Sequence, residues 1–362
     1  MNKTVSEIES PEAFDPTLND VSRAAEIWHY LSPANVSVLY IYVGGFILFS
    51  LWVPGLWLDF ETHKSILNIS FPVPAIVAVG LVVPLLAGEF DLSIAGVMGA
   101  SAITSSWLMV DQGWSVAPAI GAALIVALVA GLVNGFFVVR VGINSFIATL
   151  GTGAVLGAYA EWRSGGIQIT GLPESFKDLS RQEIVFGIQA KFFYLLVIAV
   201  IIWYVIEHTP IGRYLQATGD NTDAARLAGV QVSRYMFGAL VASAFVAGIA
   251  GVLQTAAVGA GNAGIGNPFL LTAFAAAFLG STQFKGRFNV WGTVLSVWVL
   301  LSLVKGVELA LQSYRWLNQL FFGVALLAAV GMSKVFERRT ERLAARSRQL
   351  EAAGTVVDAA VE

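Results

Sequence analysis

The chain contains no cysteine, so it has neither disulfides nor thiol chemistry. Charge is scarce. Only 12% of the 362 residues are charged, against roughly 25% in a soluble domain. The net charge of -3 is too small to point to a nucleic-acid partner. Histidine is rare as well: His29, His63 and His208 are far apart, no HExxH occurs, and a metal site has no support. No lysine follows a glycine, which excludes a GxxxxGK[ST] phosphate loop. GxSxG is missing, and so is any Ser-His-Asp logic, so an enzyme is not expected. Residues 1–20 are acidic and polar and lack the basic start and apolar run of a cleavable signal.

What the chain has is apolar length, with 56% of it hydrophobic. A bilayer core about 30 Å thick needs roughly 20 mostly apolar residues per spanning helix. Ten candidate spans lie near 36–55, 70–87, 94–110, 116–139, 144–161, 192–207, 235–258, 268–283, 290–311 and 316–333. The expected fold is all-α and polytopic, some helices being short or broken. Its transmembrane domain covers 36–333.

Ten spans put both termini on one side, and lysine and arginine choose which. With the termini inside, the inner segments hold Lys3, Arg23, Arg140, Arg213, Arg226, Arg234, Lys285, Arg287, Lys334, Arg338, Arg339, Arg342, Arg346 and Arg348. The outer loops hold only Lys64, Arg163, Lys177, Arg181, Lys191 and Arg315. Both termini are therefore expected to be cytoplasmic. Trp52, Trp57, Trp107, Trp114, Trp162 and Trp316 fall near outer ends, in the manner of an aromatic belt. Residues 1–35 form a cytoplasmic segment. Within it VSRAAEIWHYL (21–31) reads either as an interfacial helix or as a short cytoplasmic one. Residues 334–362 form a charged cytoplasmic tail, helical over 336–353.

Between the sixth and seventh spans a cytoplasmic loop, 208–234, carries TGDNTDAARLAGV (218–230). Asn221 or Thr222 can cap a helix start, Asp223 suits its positive end, and Gly229 can end it in a left-handed conformation. The helix is one to two turns, about 10 Å at ~1.5 Å per residue. So short a helix is not stable alone. Either it is a knob for a partner's groove, its small alanines allowing close approach, or it merely joins two spans.

The stretch resembles the coupling segment of ABC-importer permeases for simple sugars, the ribose/xylose/arabinose type. Thr209, Gly212, Arg213 and Tyr214 match that family's T-x-x-G-R-Y. Gly219, Asn221, Ala224, Ala225, Arg226, Ala228, Gly229 and Val230 match its G-x-N-x-x-A-A-R-x-[SA]-G-[IV]. GEFDLS (88–93), GLVNG (131–135) and SFIATLGT (145–152) are similar to further family motifs, in the same order. Glu89 and Phe90 depart from the pattern, and so does STQFKGRFNVWGT (281–293), where Phe284, Lys285 and Phe288 intrude.

The resemblance implies a permease subunit that carries a monosaccharide or similar solute across the inner membrane. It also implies partner ATPase subunits that hold ATP and Mg, docked on Gly219, Asn221, Ala224, Ala225, Arg226 and Gly229. A periplasmic sugar-binding protein and a second permease copy, or a close paralogue, complete the assembly. Related permeases carry branched-chain amino acids, nucleosides or polyols. An ion-coupled secondary transporter is the other reading, because broken helices with carboxylates such as Glu89 and Asp91 occur there too.

Candidate path residues each have two readings. Glu89 and Asp91 line a solute route, or Asp91 and Ser93 cap a helix that starts at a break. Asn134 binds solute or supports close helix packing. Phe146 and Thr149 supply an aromatic wall and a hydroxyl, or core packing. Arg226 pairs with a partner or anchors topology. Lys305 and Glu308, three apart, form a local ion pair or snorkel toward the interface.

Overall fold

The computed structural model describes residues 33–283, 287–311, 316, 319–328 and 331. The helix expected over 21–31 and the tail over 336–353 lie outside the described residues.

The described residues are helical almost throughout. In order come α1 (Pro33–Trp52), α2 (Pro54–Trp57), α3 (Phe60–Ser65), a π-helical turn (Ile66–Ser70), α4 (Pro72–Leu86) and α5 (Ile94–Val110). Next are α6 (Val116–Gly135), which continues as a π-helix (Phe136–Val141), and α7 (Ser145–Ser164). Then follow α8 (Glu174–Arg181), α9 (Ala190–His208), α10 (Pro210–Asp220) and α11 (Thr222–Leu227). α12 (Val232–Val258), α13 (Asn267–Ser281), α14 (Val290–Leu311) and α15 (Gln319–Ala328) complete the described part.

Each of the first nine expected intervals holds a helix. Val116–Val141, Ala190–His208, Val232–Val258 and Val290–Leu311 are long and apolar enough to span a membrane singly. Phe60–Ser70 with Pro72–Leu86, bent by 48°, makes a further span if the pair counts as one. The protein is a helical membrane protein.

α4 and α12 form the centre. In α4 all residues but Val83 are buried, and the helix packs on α9, α12, α13 and α14. Such a helix is apolar all round because every side meets protein. α12 packs on α4, α5 and α6. Small residues let these helices close: a Cβ on Gly251 of α12 would lie 2.8 Å from the Met98 Cα of α5. Without a hydrophobic drive between helices in lipid, such close packing is a main source of association.

The 162–191 segment folds onto the end of α12. α8 buries Phe176, and Ser180 Oγ donates to the Leu253 carbonyl at 2.6 Å. Arg181 donates to the last carbonyls of α12, Ala257 at 2.9 Å and Val258 at 2.8 Å, a favourable place for a cation. A small antiparallel hairpin, β1 (Glu183–Val185) and β2 (Ile188–Gln189), follows. The expected tryptophan belt needs one correction. Trp57 is only 1% exposed, because its ring packs on Phe46, Phe49 and His63 rather than facing outward. The Lys305–Glu308 pair forms at 3.8 Å.

Gly251→Val forces a branched side chain into the α5 backbone. It should cost about 1–3 kcal/mol of stability, read as a lower melting temperature in detergent. An unchanged melt would show that the α5–α12 contact is not tight.

Candidate functional site

GEFDLS is an irregular break between α4 and α5. α4 ends because Gly88 adopts φ +79 and closes a Schellman motif. Gly88 N–H donates to Leu85 and Glu89 N–H to Pro84, at 3.1 and 2.9 Å. The next backbone groups are buried without a helix to satisfy them, and α7 supplies the partners. Phe90 N–H donates to Ser145 Oγ at 3.1 Å, and Leu92 N–H to Thr149 Oγ1 at 3.0 Å. The Thr149 hydroxyl donates to the Ser145 carbonyl at 2.7 Å and stands 3.2 Å from the Phe90 carbonyl.

Asp91 is fully buried. Its Oδ1 accepts from Ser93 N–H at 3.0 Å and Ser93 Oγ at 2.5 Å. Asn134 Nδ2, from α6, donates to Ser93 Oγ at 2.8 Å. Asp91 thus organises the turn that starts α5, and Ser93 makes no side-chain cap of its own. Ser243 of α12 faces Asp91 outside hydrogen-bonding geometry, so its Oγ and Asp91 Oδ2 are unpartnered. Glu89 is buried, with the Ser145 hydroxyl beside it.

The structure therefore brings Glu89, Asp91, Ser93, Asn134 and Thr149 together. It does not bring Phe146, which is 48% exposed. Ser145 and Ser243 belong to the cluster and were missed. The signal for Ser145 was present, since Ser145 and Thr149 are four apart and share a helix face.

The loop 208–234 holds two helices, not one. Thr209 Oγ1 accepts from Ile211 N–H at 3.2 Å, and Pro210 takes the first position of α10. That Thr-Pro start is a helix signal the motif match overlooked. α10 runs to Asp220, and Asn221 turns the chain into α11, its Oδ1 accepting from Ala224 N–H at 2.9 Å. At the other end Gly229, at φ +84, closes a Schellman motif. Gly229 N–H donates to Arg226 and Val230 N–H to Ala225, both at 3.0 Å. Arg226 pairs with Asp223 at 3.4 Å on the exposed surface.

The residues of this helix differ in facing. Ala225 is 5% exposed and faces the chain itself, because α11 lies against α10 and the start of α12. The outward face holds Ala224, Arg226, Ala228 and Leu227, the last 90% exposed. Gly219 looks the other way: its Cα side meets the backbone of Leu86 and Gly88, leaving no room for a Cβ. The loop and the break are therefore in direct backbone contact.

A family model described as branched-chain amino acid transport system / permease component matches residues 65–330. The chain belongs to this permease family. The autoinducer 2 import system permease protein LsrC of Salmonella choleraesuis is 31% identical over 276 residues, 76% of this chain and 78% of the relative. LsrC of Escherichia coli O9:H4 is 30% identical over 257 residues, 70% of this chain and 74% of the relative. This permease is thus a transport component rather than an enzyme, and a multi-pass protein of the inner membrane.

Thr149→Val keeps the shape and removes the hydroxyl. Leu92 N–H is then buried without a partner, at about 1–3 kcal/mol. The permease should melt earlier in detergent, and Thr149→Ser should restore most of the loss. Equal melts for the Val and Ser variants would mean the hydroxyl does not hold the break.

Proposed function

We propose that this permease is the membrane subunit of an ATP-driven (ABC) importer for a monosaccharide or similar small polyhydroxylated solute. Ten spans cross the inner membrane, with both termini cytoplasmic. Two copies, or one copy and a close paralogue, form the pore. Two cytoplasmic ATPase subunits supply ATP and Mg chemistry, and a periplasmic binding protein delivers the solute.

One observation carries the ATPase part of this reading. α11 is capped at both ends and presents Leu227 at 90% exposure, well above Ile211 and Tyr214, the other large hydrophobics exposed in the loop. An exposed leucine on a short rigid helix is an anchor for a groove. ATP and solute must each favour a different state of the bundle, since a ligand shifts an equilibrium only by its differential affinity. The monosaccharide assignment rests on the ordered motifs GEFDLS, GLVNG and SFIATLGT. A branched-chain amino acid, named in the family description, is the competing cargo.

Co-purification with the ATPase in mild detergent tests the docking surface. Leu227→Asp should reduce ATPase recovery about tenfold or more, as loss of an anchoring side chain does, with no change in melting temperature. Ala225→Glu should lower both together, because it buries a charge inside the loop. Full ATPase recovery by Leu227→Asp would sink the docking surface.

A further inference from the structure

A cavity of about 380 Å³ opens where α10, the end of α4 and residues 287–288 meet. Small-molecule pockets begin at roughly 300 Å³. Its apolar wall includes Phe90, Phe278 and Phe288; its polar lining is Gln216, Asp220 and Arg287. The Phe90 ring is stacked near-parallel to Phe274 and Phe278, at interplanar angles of 22° and 26°. Phe288 meets Phe278 edge-on. Phe90 is held at both ends of its residue, its N–H by Ser145 and its carbonyl beside Thr149, yet the residue is 38% exposed.

The polar groups are arranged as well. Arg287 donates to Gln216 Oε1 and to Glu207 Oε2, each at 2.7 Å, leaving further N–H groups of its fork. Its charge is already matched by Glu207, so among the described residues the cavity offers a zwitterion's carboxylate no unopposed cation. A sugar needs something else: an apolar ring for its C–H face, and an amide, a carboxylate and guanidinium N–H groups for its hydroxyls. All of these line this cavity.

We propose that the cavity is an inner solute subsite, in which a monosaccharide rests on Phe90 on its way to the cytoplasm. The proposal rests on the importer reading above and names a site for it. One wall of the subsite is the coupling segment itself, through Gln216, Gly219 and Asp220. Because Gly219 abuts the backbone of Leu86 and Gly88, a shift of α10 changes the cavity's shape. Phe90, which departs from the family pattern at this position, becomes a specificity-determining residue.

The test uses the nucleotide-free permease–ATPase complex without its binding protein. Saturation-transfer NMR is run with D-ribose, D-xylose, L-arabinose and L-leucine. In parallel, uptake of the same four is measured in proteoliposomes with the binding protein present. At least one transported monosaccharide should bind saturably. Phe90→Ala and Gln216→Leu should each weaken it about tenfold, the scale of one lost pocket contact. Phe90→Tyr keeps the ring and should bind like wild type. Gln216→Leu reports even if Phe90→Ala fails to fold. Monosaccharide uptake without detectable binding, or binding equal in all variants, overturns the subsite and leaves the importer standing. Uptake of leucine, or of none of the sugars, overturns the cargo reading and the subsite with it.

Discussion

The bundle depends on satisfying the polar backbone at 88–93. A helix that stops inside packed protein leaves N–H and C=O groups that water cannot reach, and each costs on the order of 1–3 kcal/mol if orphaned. Ser145 and Thr149 of α7 answer those groups from one helix face. Asp91 gathers the next turn through Ser93, and Asn134 of α6 joins it. Three helices and the break are thereby tied through side-chain hydrogen bonds at a point where the backbone is irregular. Irregular backbone at membrane depth is tolerated on that condition. The glycine contacts that close α5 against α12 depend on it too, because α5 starts from this turn.

The network is incomplete on one side. Asp91 Oδ2, Asn134 Oδ1 and Ser243 Oγ are buried without partners. Unpaired polar atoms in a close-packed interior disfavour the arrangement that contains them.

Much of this was legible in the sequence. Long apolar runs set the helices, because a bilayer accepts little else, and their ends agree to within a few residues. Asn221 and Gly229 announced α11 because capping is local chemistry. What failed was facing. Helical periodicity did not tell that Ala225 turns inward and Leu227 outward, since a short helix in a polar loop has no apolar stripe to read. Trp57 failed for a related reason: a tryptophan near a span's end serves equally at an interface or under a neighbour, and only the contact with Phe46, Phe49 and His63 decides. Glu89, Asp91, Asn134 and Thr149 were recognisable as polar residues in apolar surroundings. Their convergence was not, because it joins residues 41 and more positions apart.

Facing also determines how a push on the loop travels. α11 is rigid for its size, its ends closed by Asn221 and Gly229, so it cannot absorb a displacement by fraying. It leans on α10, and α10 leans through Gly219 on the backbone of Leu86 and Gly88. A side chain between them would cushion the contact by changing rotamer; backbone against backbone cannot. The backbone that receives the push runs straight on into Phe90 and Leu92, which are bound to Ser145 and Thr149, so a shift of the end of α4 alone would strain those bonds. The lower-cost response is for α4, the break and α7 to move as one body against their neighbours. Close-packed interiors respond in discrete shifts of this kind rather than by continuous deformation. The glycine at 219 is thus more than a loop residue. Through it the loop that carries α11 meets the end of the bundle's central helix backbone to backbone, with no side chain between them.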